Sequence, residues 1–227
     1  MVRETFEREL QRLQDEVLAL GSMVEKAIVE AVDILKRRDM ERARRLIAGD
    51  EAINKRRFAI EADCLVLIAT QQPMASDLRT LAAILEIVTE LERMGDYAKG
   101  IAKINLLMGE KPLLKPLIDI PRMAEKAQSM LHRALEAFVN RDVELAKAIP
   151  LEDDEVDALY NQVYRELLTY IIADPRTIDQ ATYLLWVAHN LERTADRVTN
   201  ICERVVFTVT GEMVEMDVED MGVEGVA

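Results

Sequence analysis

The sequence predicts an all-α protein: two tandem, pseudo-symmetric three-helix bundles built from six long helices. Three observations predict it. Gly and Pro are scarce, at 8 and 6 residues, aromatics are 4%, and Ala, Leu, Glu, Arg and Ile dominate. Apolar residues recur every three or four positions over long stretches, which builds one apolar stripe on a helix. The chain also repeats itself. Leu91-Glu92-Arg93-Met94-Gly95-Asp96 returns 100 residues later as Leu191-Glu192-Arg193-Thr194-Ala195-Asp196, and both read L-E-R-x-x-D.

The first helix is expected over about 4–36, with Phe6, Leu10, Leu13, Val17, Leu20, Val24, Ala27, Ala31 and Ile34 forming a bundle seam. Arg37-Arg38-Asp39 breaks it, basic at a helix C-terminus and with Asp39 placed to cap the next helix. The second helix follows over about 40–70; Gly49 weakens it, and it carries Asp50 and Asn54. Gln71-Gln72-Pro73 punctuates, because proline disfavours helix in the residue before it. The third helix, ending near Gly109, has the stripe Ile84, Val88, Leu91, Gly95, Ala98 and Ala102.

Pro112, Pro116 and Pro121 form the proline-rich boundary between halves. A fourth helix is expected over about 120–140, with Ala127, Met130, Leu131, Ala134, Ala137 and Phe138 inward. Arg141-Asp142 then echoes Arg38-Asp39. The fifth helix, about 143–173, meets Pro150 early, which kinks or restarts it. It carries Asp153 and Asp157, the counterparts of Asp50 and Asn54. Asp174-Pro175 matches Gln72-Pro73, and the sixth helix has the stripe Leu184, Val187, Leu191, Ala195, Val198 and Cys202. The units are therefore 1–110, 118–211 and an acidic tail 212–227. That tail reads as frayed or disordered, although Met213, Val214, Met216 and Val218 could dock. One long six-helix array remains an alternative to two bundles.

The net charge of −13 argues against nucleic acid, which needs clustered Lys and Arg, and against direct docking on anionic lipid. Cys64 and Cys202 lie in apolar helical patterns and read as buried small hydrophobes in a reducing compartment. The charged N-terminus is unlike a signal peptide, and no apolar run approaches a membrane span, so a cytoplasmic protein is expected.

Four oxygen-rich pairs, two per half, hold the chemistry: Asp50/Asn54, Glu92/Asp96, Asp153/Asp157 and Glu192/Asp196. Members four apart share one helix face. Like charges so placed destabilise an isolated helix by about 0.2–0.5 kcal/mol, and something must offset them. Arginine is the bland offset: Arg93 and Arg193 in both copies, Arg197 in the second. A hard divalent cation is the sharp one, since carboxylate oxygens suit it. The duplication favours the cation. Spacing alone leaves open whether pairs meet within a half or between halves.

Enzyme signatures are missing. A di-iron protein needs E-x-x-H motifs, yet Ser129 and Trp186 stand three before His132 and His189. His189 precedes Glu192 by three and is a candidate single nitrogen ligand, or a histidine hydrogen-bonded to that carboxylate. Zinc hydrolase, nucleophile-elbow, Walker A and Rossmann motifs are absent. A metal-dependent phosphohydrolase or oxidase using the same carboxylates stays as the alternative, and a metal-free helical scaffold as the plainer one.

The chain resembles the PhoU family of phosphate-uptake regulators through Gln71–Arg79 (Q-Q-P-M-A-S-D-L-R), Glu90–Ala98 (E-L-E-R-M-G-D-Y-A), Asp153–Tyr160 (D-D-E-V-D-A-L-Y) and Asn190–Ile201 (N-L-E-R-T-A-D-R-V-T-N-I). The resemblance implies two three-helix bundles and no catalysis. It implies metal held at E(D)-x-x-x-D motifs, iron first, with manganese or magnesium as options. It implies a negative regulator of phosphate uptake and phosphate-starvation signalling, an adaptor between a phosphate ABC transporter ATPase and a sensor histidine kinase. Membrane association is then peripheral, through partners, and a homodimer is compatible. The implied metal positions are Glu92, Asp96, Glu192, Asp196, Asp50, Asn54, Asp153 and Asp157. Asn54 departs from the usual acid, which implies fewer or weaker ions in the first half.

Overall fold

The computed structural model describes residues 2–216. Its helices are α1 (Val2–Arg37), α2 (Met40–Gln71), α3 (Ala75–Met108), α4 (Asp119–Asn140), α5 (Val143–Ala148), α6 (Asp153–Ala173) and α7 (Ile178–Thr210), with no strand among the described residues. α1 to α3 form the first three-helix half, and α4 to α7 the second.

The two halves turn the chain the same way. Arg38 and Arg141 both adopt left-handed conformation, at φ 58° and 55°. Each closes the preceding helix: the N–H of Asp39 donates to Ile34 O at 3.1 Å, and that of Asp142 to Ala137 O at 2.9 Å. The same aspartates then cap the next helix, Asp39 accepting from the Arg42 N–H and Asp142 from the Leu145 N–H, each at 2.9 Å. In the first half the strained arginine is also held from the side. Its guanidinium donates to Asn105 Oδ1 and Gly109 O at the end of α3.

Three local features bear on the sequence expectation: the restart at Pro150 and the docking of Val214 and Met216 are outcomes it allowed, and the seam shift in α1 departs from it. The fifth helix is two helices: Pro150 lacks an N–H to continue the ladder, so α5 stops, a 3₁₀ turn spans Pro150–Glu152, and α6 restarts at Asp153. In α1 the seam shifts from Ala27, half-buried, to Ile28, which is buried. A straight helix drifts about 20° per heptad from a strict seven-residue seam, and Ile28 is where the drift delivers a side chain inward. The tail leaves the helix at Gly211 and continues without regular structure to Met216. Val214 and Met216 pack on the core, and the Met216 N–H donates to Glu203 Oε1 at 2.9 Å. The remaining residues of the tail, Val218 among them, lie outside the described residues.

One apolar core runs through both halves. α1 packs beside α4, and α3 against α7, the broadest helix pair among the described residues. α3 also touches α1 and α2, so it must be apolar on more than one face. A second stripe supplies this: Ile87, Met94, Ile101 and Met108, all buried, seven residues apart. α7 has its counterpart in Val187, Thr194, Ile201 and Thr208, also buried. Polar ties cross the same boundary: Arg204 to Glu86 at 3.0 Å, Arg197 to Glu90 at 3.4 Å and His132 to Glu25 at 3.3 Å.

Candidate metal centre

The acidic pairs meet within each half. Asp50 and Asn54 on α2 stand against Glu92 and Asp96 on α3, and Asp153 and Asp157 on α6 against Glu192 and Asp196 on α7. The helix geometry accounts for this. α2 runs back along α3, and α6 along α7, so acids in the N-terminal part of α2 and at the start of α6 come level with acids near the middle of α3 and α7. The mixed-half arrangement does not occur.

The first cluster is closed by its own cations. Lys99 Nζ donates to Asp50 Oδ2 at 2.7 Å and to Asp96 Oδ1 at 3.2 Å, bridging the two helices. Arg57 lies 3.4 Å from Glu92. Asn54 spends its amide on Asp50, donating to Oδ2 at 3.0 Å. Asp50 is 6% exposed, and its Oδ1 is buried without a hydrogen-bond partner. Burial pushes the Glu92 carboxyl above its ordinary value, Arg57 pulls it back, and Asp96 and Asp50 push it up.

The second cluster is different. Burial, followed by repulsion from Asp196, Asp157, Glu192 and Asp154, pushes the Asp153 carboxyl up to about 7. Glu192 is raised too, by burial first and then Asp196. Asp153 Oδ1 and Glu192 Oε2 are both buried without a hydrogen-bond partner. His189 Nδ1 comes within 3.1 Å of that same Glu192 oxygen but off the hydrogen-bonding direction. It stands at the rim, half-exposed, beside Tyr160. Arg193 pairs with Asp196 at 3.0 Å.

Comparing the repeats position by position explains the contrast. Lys99 follows Asp96 by three; the residue three after Asp196 is Thr199. Arg57 follows Asn54 by three; the residue three after Asp157 is Tyr160. The two cations that close the first cluster are thus absent from the second. Neither lysine nor Arg57 was among the sequence candidates, although an i, i+3 lysine after Asp96 was a visible signal. Of the arginines that were, Arg193 reaches its own cluster. Arg93 turns to Glu90 at 2.9 Å, and Arg197 crosses to the other half.

Among the described residues no three His, Cys, Asp or Glu side chains already stand as a ligand set for a metal ion. The donor chemistry still separates the halves. Buried carboxylate oxygens without a hydrogen-bond partner occur in both, Asp50 Oδ1 in the first and Asp153 Oδ1 and Glu192 Oε2 in the second, but the second half has two of them and no bridging lysine, which fits a hard cation. In the first half, ammonium and guanidinium groups already supply that charge. The cysteines are apart from both clusters in character: Cys64 and Cys202 are fully buried, and burial pushes each thiol up to about 12.

The PhoU domain model matches residues 17–104 and again 120–205, which is most of the chain and both halves. The chain belongs to the PhoU family. A phosphate-specific transport system accessory protein PhoU homolog of Clostridium acetobutylicum is 39% identical, over 96% of this chain and 100% of that protein. The Escherichia coli phosphate-specific transport system accessory protein PhoU is 35% identical, over 91% and 86%. The crystal structure of a phosphate transport system regulatory protein PhoU from Streptococcus pneumoniae superposes with a TM-score of 0.85 at 36% identity, covering 92% of this chain and 99% of that one. PhoU from Pseudomonas aeruginosa gives 0.85 at 34%, covering 91% and 100%. The boundary between the two PhoU repeats falls in the proline-bearing connector before α4. No helix of the described residues is long and apolar enough to cross a membrane.

Proposed function

We propose that this chain is a negative regulator of phosphate uptake and phosphate-starvation signalling. It works in the cytoplasm as a non-enzymatic adaptor between a phosphate ABC transporter ATPase and a sensor histidine kinase. It carries a hard metal ion, iron, manganese or magnesium, on its acidic clusters. The regulatory part is supported by relatives named as accessory proteins of phosphate transport that align over nearly the whole chain. The metal part is carried by one observation: buried carboxylate oxygens of Asp153 and Glu192 left without donors in the second half. A cation there would be held by Asp153, Asp157, Glu192 and Asp196 and would offset a repulsion the fold otherwise retains.

The tests separate the two parts. Protein purified without chelator is expected to carry stoichiometric transition metal, and stripped protein to gain melting temperature when Mn²⁺ is added. A metal-free preparation whose melting ignores Mn²⁺ and Mg²⁺ removes the metal. Tagged protein should retain the transporter ATPase and the sensor kinase from phosphate-replete cells; failure to retain either removes the adaptor.

A further inference from the structure

The two clusters, matched residue for residue, differ in one bridging group. In the first half a lysine ammonium reaches from α3 to carboxylates on two helices, at 2.7 Å to Asp50 and 3.2 Å to Asp96. In the second half Thr199 takes the corresponding place. The charges differ accordingly. The first cluster has three carboxylates, Asp50, Glu92 and Asp96, against Lys99 and Arg57, the arginine being shared with Glu61 at 2.7 Å. The second has four, Asp153, Asp157, Glu192 and Asp196, with neither of those cations. Of the matched arginines, Arg193 pairs with Asp196 at 3.0 Å and offsets one charge of the second cluster, whereas Arg93 pairs with Glu90 at 2.9 Å.

We propose that Lys99 is a tethered cation standing where the first half would otherwise hold a metal ion, so that this chain binds metal through its second half alone. Three features argue for it. The lysine bridges the two helices that a metal would bridge. It is three-quarters buried, so its charge is poorly screened and a divalent ion would have to expel it rather than join it. Asn54 adds to the closure, because its amide hydrogens face Asp50 and present a donor where a ligand oxygen is needed. The second half has none of these: Asp157 replaces the asparagine and Thr199 the lysine.

The inference rests on the metal reading for its second half, and the experiment keeps the two apart. Mn²⁺ binding is measured by equilibrium dialysis and by melting temperature on four proteins: the natural chain, a second-half knockout (Asp153→Asn with Asp196→Asn), the knockout with Lys99→Met added, and Thr199→Lys. The knockout is expected to lose Mn²⁺ binding and the Mn²⁺-dependent rise in melting temperature. Adding Lys99→Met should lower melting in chelator, since a buried carboxylate loses its partner, and should restore at least one equivalent of Mn²⁺ together with the rise. Thr199→Lys should lower Mn²⁺ affinity at least tenfold in the natural background by closing the second cluster as the first is closed.

Mn²⁺ that remains bound in the knockout overturns the proposal, because the lysine-filled cluster then takes metal. So does a folded Lys99→Met protein that gains none. If Lys99→Met does not fold, Thr199→Lys decides: unchanged affinity overturns, loss supports. If the natural chain binds no Mn²⁺ but the Lys99→Met knockout does, the metal reading of the second half fails while the role of Lys99 stands. If no protein in the set binds, both fall.

Discussion

At the scale of single residues, Asp153 has the clearest measurable consequence. A carboxyl in an unfolded chain ionises near 4. In the fold, burial and four neighbouring acids hold the proton on Asp153 until about 7. The folded state therefore binds more protons than the unfolded one between these values, and stability falls as pH rises through that window. Below about 4 the group costs nothing, and above about 7 the cost is complete. In chelator at pH 8, Asp153→Asn is expected to raise the melting temperature by at least about 2–4 °C: a rise from about 4 to about 7 corresponds to about 4 kcal/mol before solvent screening and relaxation reduce it, and about 1 kcal/mol already makes that shift in a chain of this size. At pH 4 the two proteins should melt together. A variant that melts lower at both values contradicts the reading. The positions of such acids were legible in the sequence, because a period of four on a helix fixes the face. Of the partners in the first cluster, only the pairing of Lys99 with Asp96, three residues apart, had a signal; the contacts across helices had none. Lys99 and Arg57 reach the first cluster with long side chains, one from α3 and one from α2, and contacts across helices depend on where the helices cross.

At the scale of helices, close approach is governed by what a Cβ would meet. Gly21 on α1 lies against α4, where an added Cβ would fall 2.1 Å from Leu135 Cδ1. Leu135 is buried and has little room to yield. Gly21→Val is expected to cost about 1–3 kcal/mol by urea denaturation, and Leu135→Ala in the same chain to recover part of it. Gly49, inside α2, meets nothing within 4 Å, so Gly49→Ala should stabilise by about 0.5–1 kcal/mol. Equal effects of the two substitutions would show that the contact with α4 decides nothing. Helix positions were readable because caps and breakers act locally: Arg-Asp at 38–39 and 141–142 sits at both turns. The second stripe on α3 went unread, and of its counterpart on α7 only Val187 was read. Ile87, Met94, Ile101 and Met108 follow a period of seven that looks incidental until another helix covers it.

At the scale of the whole molecule, two repeats share one core. The repeats were plain from the two L-E-R-x-x-D blocks, but their joining was not, since a repeat says nothing about which faces meet. α1 and α3 of the first half bury side chains against α4 and α7, and each fully buried Leu, Ile or Val contributes about 1.5–3 kcal/mol. Residues 1–117 expressed alone are therefore expected to self-associate or to lose cooperative melting, while the full chain melts in one transition. A monodisperse, cooperatively melting fragment would show that the halves stand by themselves. The connector from Gly109 to Ile118 has a genetic corollary. Two identical subunits pressed together would inherit every substitution twice. Covalent linkage lets each half mutate alone, so a lysine gained on one side leaves its twin untouched, and a duplicated ancestor can divide its labour without changing its shape.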